Sequence, residues 1–321
     1  MGAPSEIREP IMAPFQTICE DLKFPEGPIA MPDGSVILVE IARGTLTRVL
    51  PNGKTEVICE TGGGPNGAAI GPDNACYICN NGGFDWDNDP KTGTLRPISQ
   101  SKNYVTGRIE RVDLATGKIE RLYEKCGDHK LNGPNDLVFD RKGNMWFTDL
   151  GKARSRDLDR GAIYWAKPDG SNIREVVQPF TTPNGIGLSP DEKTLYVAET
   201  EGGRLFAYEI IGDGEVEKLP YPQSINGGRY VTSDTGMRRF DSLAVEASGN
   251  VCVATLFTGG ITVAKPNGGT LEFVETGDGY TTNICFGGQS LQKAYITLSW
   301  QGLLVECDWP RAGLALNFLN K

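Results

Sequence analysis

The sequence predicts an all-β fold: a six-bladed β-propeller with four antiparallel strands per blade. Three observations predict it. A short motif recurs six times along the 321 residues, each copy is followed by three further strand-like runs, and no helical periodicity intervenes. The motif opens on an oxygen-bearing residue, and the openers are Glu26, Asn66, Asn135, Asn184, Asp241 and Asn283. Each starts a short apolar run, as in Asn135-Asp136-Leu137-Val138-Phe139. A turn falls seven positions on, at Asp33, Asp73, Lys142, Asp191, Ser248 and Ser290.

The second runs lie at 36–40, 76–80, 145–149, 195–199, 251–255 and 294–297. The third are each introduced by a glycine: Gly44, Gly107, Gly161, Gly203, Gly260 and Gly302. Polar turns such as Pro51-Asn52-Gly53 and Pro168-Asp169-Gly170 lead into fourth, alternating runs at 55–58, 118–122, 173–177, 215–219 and 270–274. The sixth blade needs a strand from one end of the chain, and both 15–20 and 314–319 qualify. A single propeller domain over 1–321 is expected, with 1–14 as an extended N-terminal arm.

Composition agrees. The 41 glycines and 20 prolines, without collagen periodicity, suit many short strands joined by turns. A net charge of −9 without a basic stripe argues against nucleic acid. No apolar run approaches the ~20 residues of a membrane span. The first residues lack a basic-then-apolar leader, so the cytoplasm is the expected compartment. Of the eight cysteines, Cys76 and Cys79 form a C-x-x-C pair. On a strand, residues three apart face opposite sides, so buried free thiols are expected, not a metal site.

Strand direction locates function. Strands alternate within a blade, so loops between second and third strands, and connections into the next opener, share the openers' face. The long segments 81–106, 150–160, 123–134 and 220–240 are all assigned to that mouth. What converges there is a ring of carboxylate and amide oxygens, hard donors suited to Ca²⁺, Mg²⁺ or Mn²⁺. By alternation Asp136 should point away from the channel and make a structural hydrogen bond. The mouth segments also carry Phe84, Trp86, Tyr104, Tyr221 and Tyr230 with Arg154, Arg156, Arg229, Arg238 and Arg239, suited to an apolar or aromatic ring and to a carboxylate. Other chemistries fit poorly. There is no G-x-S-x-G elbow, and His129, the single histidine, sits in a loop, which excludes a histidine dyad. Asp85-Trp86-Asp87 begins like an EF-hand loop, but Pro90 and Arg96 occupy the positions of its Gly and Glu.

The segments Pro25-Glu26-Gly27-Pro28, Leu131-Asn132-Gly133-Pro134-Asn135-Asp136, Pro183-Asn184-Gly185, Phe240-Asp241-Ser242-Leu243 and Thr281-Thr282-Asn283 resemble the family of regucalcin (senescence marker protein) and bacterial gluconolactonases. The resemblance covers nearly the whole chain, with the motifs in the family's order. It implies a six-bladed propeller, one catalytic divalent cation in the channel, and hydrolysis of a lactone. Glu26, Asn184 and Asp241 match the family's metal ligands. Asn135 matches an Asn that binds substrate or metal, and Asp241 matches the proposed general base. The chain departs from regucalcin at Gly133, where an Arg contacts the sugar lactone. The related diisopropylfluorophosphatase and paraoxonases use channel histidines; this chain has one histidine, His129, in the loop before the third opener, so a histidine dyad is excluded.

The expectation is therefore a divalent-metal-dependent lactonase. Its metal ligands would be Glu26, Asn135, Asn184 and Asp241, with Asp241 as base and Asn66, Asn135 and Asn283 toward substrate. Ca²⁺ is the first candidate cofactor, with Zn²⁺, Mn²⁺, Mg²⁺ and Fe²⁺ as alternatives. The partner would be a small-molecule lactone, sugar-derived or other, with neither nucleic acid nor membrane. Competing expectations are a phosphotriesterase on the same site and a non-catalytic ligand-binding propeller.

Overall fold

A strand in the middle of a propeller blade is covered on both faces by its neighbours, and the second runs show this. Val36–Glu40, Cys76–Asn80 and Met145–Asp149 are buried along their whole lengths. The apolar core is accordingly distributed between blades. Tyr77 and Phe139 meet edge to face at 5.0 Å between the second and third blades. Trp146, Trp165, Phe180 and Phe206 fill the space between the third and fourth. Cys76 and Cys79 fall in different layers, as alternation requires, and all eight cysteines are free thiols.

The computed structural model describes residues 15–233 and 236–321, so the expected arm at 1–14 lies outside them. None of the described residues is helical, and no helix is long and apolar enough to cross a membrane. The six blades are antiparallel sheets. Blade 1 comprises Pro25–Ala30, Val36–Glu40, Thr45–Val49 and Thr55–Glu60, and blade 2 Pro65–Ile70, Cys76–Asn80, Arg108–Val112 and Ile119–Tyr123. Blade 3 comprises Pro134–Phe139, Met145–Asp149, Gly161–Ala166 and Ile173–Phe180, and blade 4 Pro183–Leu188, Thr194–Glu199, Arg204–Gly212 and Arg229–Ser233. Blade 5 comprises Arg239–Val245, Val251–Leu256, Gly260–Ala264 and Thr270–Glu275. Blade 6 comprises Thr281–Gly287, Lys293–Leu298 and Leu303–Asp308.

The N-terminal strand Gln16–Cys19 completes blade 6. It pairs antiparallel with Leu303–Asp308, Gln16 opposite Glu306 and Thr17 opposite Val305. The competing C-terminal segment does something else. It crosses the far end of the channel, Leu314 N–H donating to Val245 O at 2.8 Å and Asn317 Nδ2 to Phe139 O at 3.1 Å. The buried carboxylate of Glu246 latches its approach by accepting from Trp309 Nε1 (2.9 Å) and Arg311 Nε (2.7 Å). Between this plug and the openers lies a cavity of about 110 Å³, lined by Ile29, Leu137, Ile186, Leu243, Leu314 and Leu319 among others. Access to the openers is from their own mouth.

Blade 4 departs from the sequence expectation. Residues Glu215–Val216 make only a short hairpin at the far end of Arg204–Gly212. The outer strand is Arg229–Ser233, with Arg204 opposite Ser233 and Ala207 opposite Arg229. Residues 213–228 therefore hang from the opposite face, where Asp213 pairs with Lys142 at 2.7 Å. Tyr221, 84% exposed, and Arg229, which donates to Pro266 O, belong there and not to the mouth. Tyr230 lies on the outer strand with its ring against Phe206. An outer strand is half-solvated and weakly patterned. Two alternating runs competed for this place, and the one with Tyr230, Val231 and Thr232 has the stronger β-preference.

Every inner strand carries a β-bulge at or beside its opener. Pro134 faces Asp149 and Leu137 faces Phe147, so three steps on one strand match two on its partner. The same irregularity falls at Glu26/Ile29, Pro65/Ala68, Pro183/Ile186, Phe240/Leu243 and Thr281/Asn283. A bulge lets consecutive side chains face one side. It also brings inner strands very close. A Cβ on Gly67 would lie 2.5 Å from Asp136 Cα and 2.6 Å from Asn135 O, atoms of the adjacent blade's backbone. Gly67→Ala is expected to destabilise the fold by ~1–3 kcal/mol, the range for overpacking. The check is a lowered denaturation midpoint at unchanged slope.

Candidate active site

The bulges gather the openers and, with them, two side chains that alternation sends elsewhere. Glu26, Asn66, Asn135, Asn184 and Asn283 are all buried, while Asp241 is half-buried. Asp136 is the correction. The bulge turns it into the channel, where its backbone N–H donates to Thr148 Oγ1 at 3.2 Å and its charge acts on both Glu26 and Asp241. Ser242, beside Asp241, is turned inward in the same way. Its hydroxyl lies 3.4 Å from Glu26 Oε1 and 3.5 Å from Asn184 Oδ1, and it bonds Asp136. One hydroxyl proton is shared among three acceptors.

The amides divide their work. Asn283 Nδ2 donates to Glu26 Oε2 at 2.7 Å, and its Oδ1 accepts from Ile284 N–H at 2.8 Å. Glu26 also accepts from Gly27 N–H. Asn184 bonds the Asp241 carboxylate and donates to Thr200 Oγ1 at 3.0 Å. Asn135 Oδ1 is buried without a hydrogen-bond partner, which ordinarily costs on the order of 1–3 kcal/mol.

Three carboxyls thus share one buried ring. Burial pushes Asp136 up to about 7 and Asp241 up to about 8, the latter raised further by Asp136 and lowered by its bond to Asn184. Burial also raises Glu26 well above the carboxylate range, with the charges of Asp241 and Asp136 adding to it. Among the described residues, none of the three carboxyls makes an ion pair with a Lys or Arg. The described residues hold no cluster of three His, Cys, Asp or Glu of ligating geometry, so the set is a mixed one of carboxylates and amides. It fits a hard divalent cation: oxygen donors only, net negative charge without a counter-ion, and an orphaned amide oxygen.

Acidic residues ending the second strands brace the loops that deliver the openers. Asp149 accepts from Asn132 N–H and Gly133 N–H, both at 2.7 Å, and from Gly151 N–H at 2.9 Å, holding the approach to Asn135. Glu199 pairs with Arg204. Lys152, 2% exposed, is sandwiched over the rings of Phe84 (4.8 Å) and Tyr104 (4.9 Å), and burial lowers its ammonium to about 8. His129 sits exposed on the two-residue strand His129–Lys130, outside the ring. Arg96, at the EF-hand's glutamate position, pairs instead with Asp87 across a hairpin.

The family model described as the SMP-30/gluconolactonase/LRE-like region matches residues 24–299. The chain belongs to this family. It is 31% identical to a lactonase, Drp35, of Staphylococcus saprophyticus over 237 residues, a match spanning 73% of this chain and 64% of that protein. It is 22% identical to a gluconolactonase of Zymomonas mobilis over 314 residues, 90% of this chain and 80% of the other. The fold is similar to a structure of the calcium-binding protein regucalcin from Agrobacterium tumefaciens, with a TM-score of 0.68, 19% identity, and coverage of 94% of this chain and 95% of that one.

The ring has a pH signature. Each folded value lies above the unfolded one of ~4, so the cluster's contribution to stability is fully present below about pH 4. It is lost as pH rises through about 7 and about 8. In chelated protein the thermal midpoint is expected to fall between about pH 5 and about pH 8 by at least ~2–4 °C, the effect of ~1 kcal/mol in a chain this large. Added Ca²⁺ should restore more at the higher pH. A midpoint indifferent to pH and calcium would remove the case for an uncompensated carboxylate ring.

Proposed function

We propose that this chain is a divalent-metal-dependent hydrolase of lactones, acting at the mouth-side ring. The observation that carries the proposal is the ring itself: Glu26, Asp136 and Asp241 drawn together without a basic partner among the described residues, beside an orphaned Asn135 Oδ1. The relatives named lactonase and gluconolactonase favour a cyclic ester over a phosphotriester, and the calcium-binding relative favours Ca²⁺.

Glu26, Asn135, Asn184 and Asp241 would hold the cation. When bound, it supplies Lewis-acid polarisation of the ester carbonyl and neutralises the carboxylates. The remaining work falls to side chains. Asp241 is held by Asn184 and half-buried, placed to take a proton from the attacking water as oxygen adds to the carbonyl carbon. The tetrahedral adduct then expels the ring oxygen, which takes back a proton and leaves an open hydroxy acid. Asn66 and Asn135 offer amide hydrogens to substrate oxygens. Asn283, whose amide is engaged by Glu26, positions that carboxylate. The C-terminal plug and the apolar cavity close the rear of the site to bulk water.

The test is acid release from lactones, with chelation and metal add-back. Asp241→Asn is expected to lose ~100-fold or more in kcat, the lower end for general-base loss, with circular dichroism unchanged; near-normal turnover would sink the assignment. Asn283→Ala should weaken Ca²⁺ binding ~10-fold, as loss of a group that orients a ligand does. Isothermal titration reads this independently of turnover.

A further inference from the structure

The long insertion of blade 2 folds into a hairpin, Phe84–Asn88 paired with Leu95–Gln100, whose tip reaches across the entry of blade 1. Leu95 N–H donates to Trp300 O, in blade 6, at 3.3 Å. The hairpin brings Trp86 to 5.0 Å from Phe24, two residues before Glu26. From there a chain of ring contacts runs around the mouth: Phe24 to Tyr280 at 5.7 Å, Tyr280 to Phe257 at 6.3 Å, and Tyr280 to Trp300 at 6.2 Å. Residues from four blades build one apolar wall beside the carboxylate ring, and the Tyr280 phenol lies within electrostatic reach of Asp241, Arg96 and Arg239.

Three observations mark this wall as a binding surface and not buried core. Phe257 (41%) and Trp300 (42%) keep large exposed faces, Trp86 and Tyr280 are half-buried, and Phe24 is buried against Trp86 and Tyr280 as their support. Phe24 and Phe257 are held at φ of 58° and 69°, a left-handed conformation that bulky side chains rarely adopt and that costs ~1 kcal/mol or more. Strain of this kind persists where the surroundings impose it, commonly at sites of function. The two cations that act on the Tyr280 phenol are already paired: Arg96 with Asp87 at 2.8 Å, and Arg239 with Glu201 at 2.8 Å while its guanidinium stacks on Phe257. Recognition of a sugar's hydroxyls needs open hydrogen-bonding groups, and recognition of an anion needs an open cation. The bordering charges here are matched to one another, and the surface they frame is aromatic.

We infer that Phe24, Trp86, Tyr280, Phe257 and Trp300 form the specificity wall of the site, selecting a lactone that carries or is fused to a flat aromatic group over a polyhydroxylated sugar lactone. This rests on the lactone-hydrolase reading. Trp86 is its testable centre, because it is delivered by an insertion outside the blade framework and its replacement leaves the propeller's layers intact.

Two measurements separate the inference from the reading beneath it. Turnover of 3,4-dihydrocoumarin, a benzene-fused δ-lactone, is compared with that of δ-gluconolactone. The wild-type kcat/KM is expected to favour the aromatic lactone by at least tenfold. Trp86→Ala should lose at least tenfold for it, mainly through KM, and less for the sugar lactone, so that the ratio collapses. Tyr221→Ala, on the opposite face, should match wild type. Binding of chroman, the non-hydrolysable cyclic ether of the same shape, is measured on chelated protein by titration calorimetry and should be lost in Trp86→Ala. A wild-type preference for the sugar lactone, equal losses for both substrates, or chroman binding unaffected by Trp86→Ala would overturn the wall. Chroman binding that depends on Trp86, in a protein that opens neither lactone, would support the wall and overturn the lactonase reading.

Discussion

The constraint on which the site depends is electrostatic. Glu26, Asp136 and Asp241 are drawn out of water into one ring, with the Ser242 hydroxyl shared among Glu26, Asp136 and Asn184. Isolated buried carboxylates are costly, and a ring of them is tolerated only if they protonate or share a cation. The backbone creates this situation: six bulged strands converge so closely that Gly67 leaves no room for a methyl group against Asp136. The closeness that packs the propeller's centre is also what crowds the charges.

The rest of the molecule is arranged around that crowding. Its two ends differ in kind. At one end the C-terminal segment crosses the channel over a cavity lined mostly by apolar side chains. At the other, Asp149 bonds three backbone amides to hold the loop before Asn135, Asn283 holds Glu26, and the blade 2 hairpin arches over to blade 6. Rigid supports fix the oxygen-bearing side chains of the ring, while exposed aromatics stand at the mouth. This division suits a site that must hold its donors against mutual repulsion and still admit an uncharged molecule.

Much of this was legible in the chain. Six openers, glycine-led third strands and polar turns identified the propeller, because each is a local requirement of a strand or a turn. Counting strand directions placed 81–106 at the mouth, where Phe84, Trp86 and Tyr104 are found. The failures are equally specific. Asp136 and Ser242 were missed because a bulge shifts alternation by one residue, and Asn135-Asp136 and Asp241-Ser242 carry no local mark of it. Blade 4 was misassigned because two alternating runs competed for a half-exposed edge. Phe24, Phe257, Tyr280 and Trp300 lie in four separate short connections, and nothing in sequence spacing brings them to one wall.

The sequence by itself determined the repeat, the alternating direction of its strands, the face on which the openers lie and their oxygen-donor chemistry. Those follow from hydrophobic periodicity and turn residues, which act over a few positions. Tertiary structure decided which end of the chain closes the ring, that the other end plugs the channel, and which side chains face inward. These depend on how six blades pack around one axis, where the close approach of the inner strands is settled by all of them together and by no single segment.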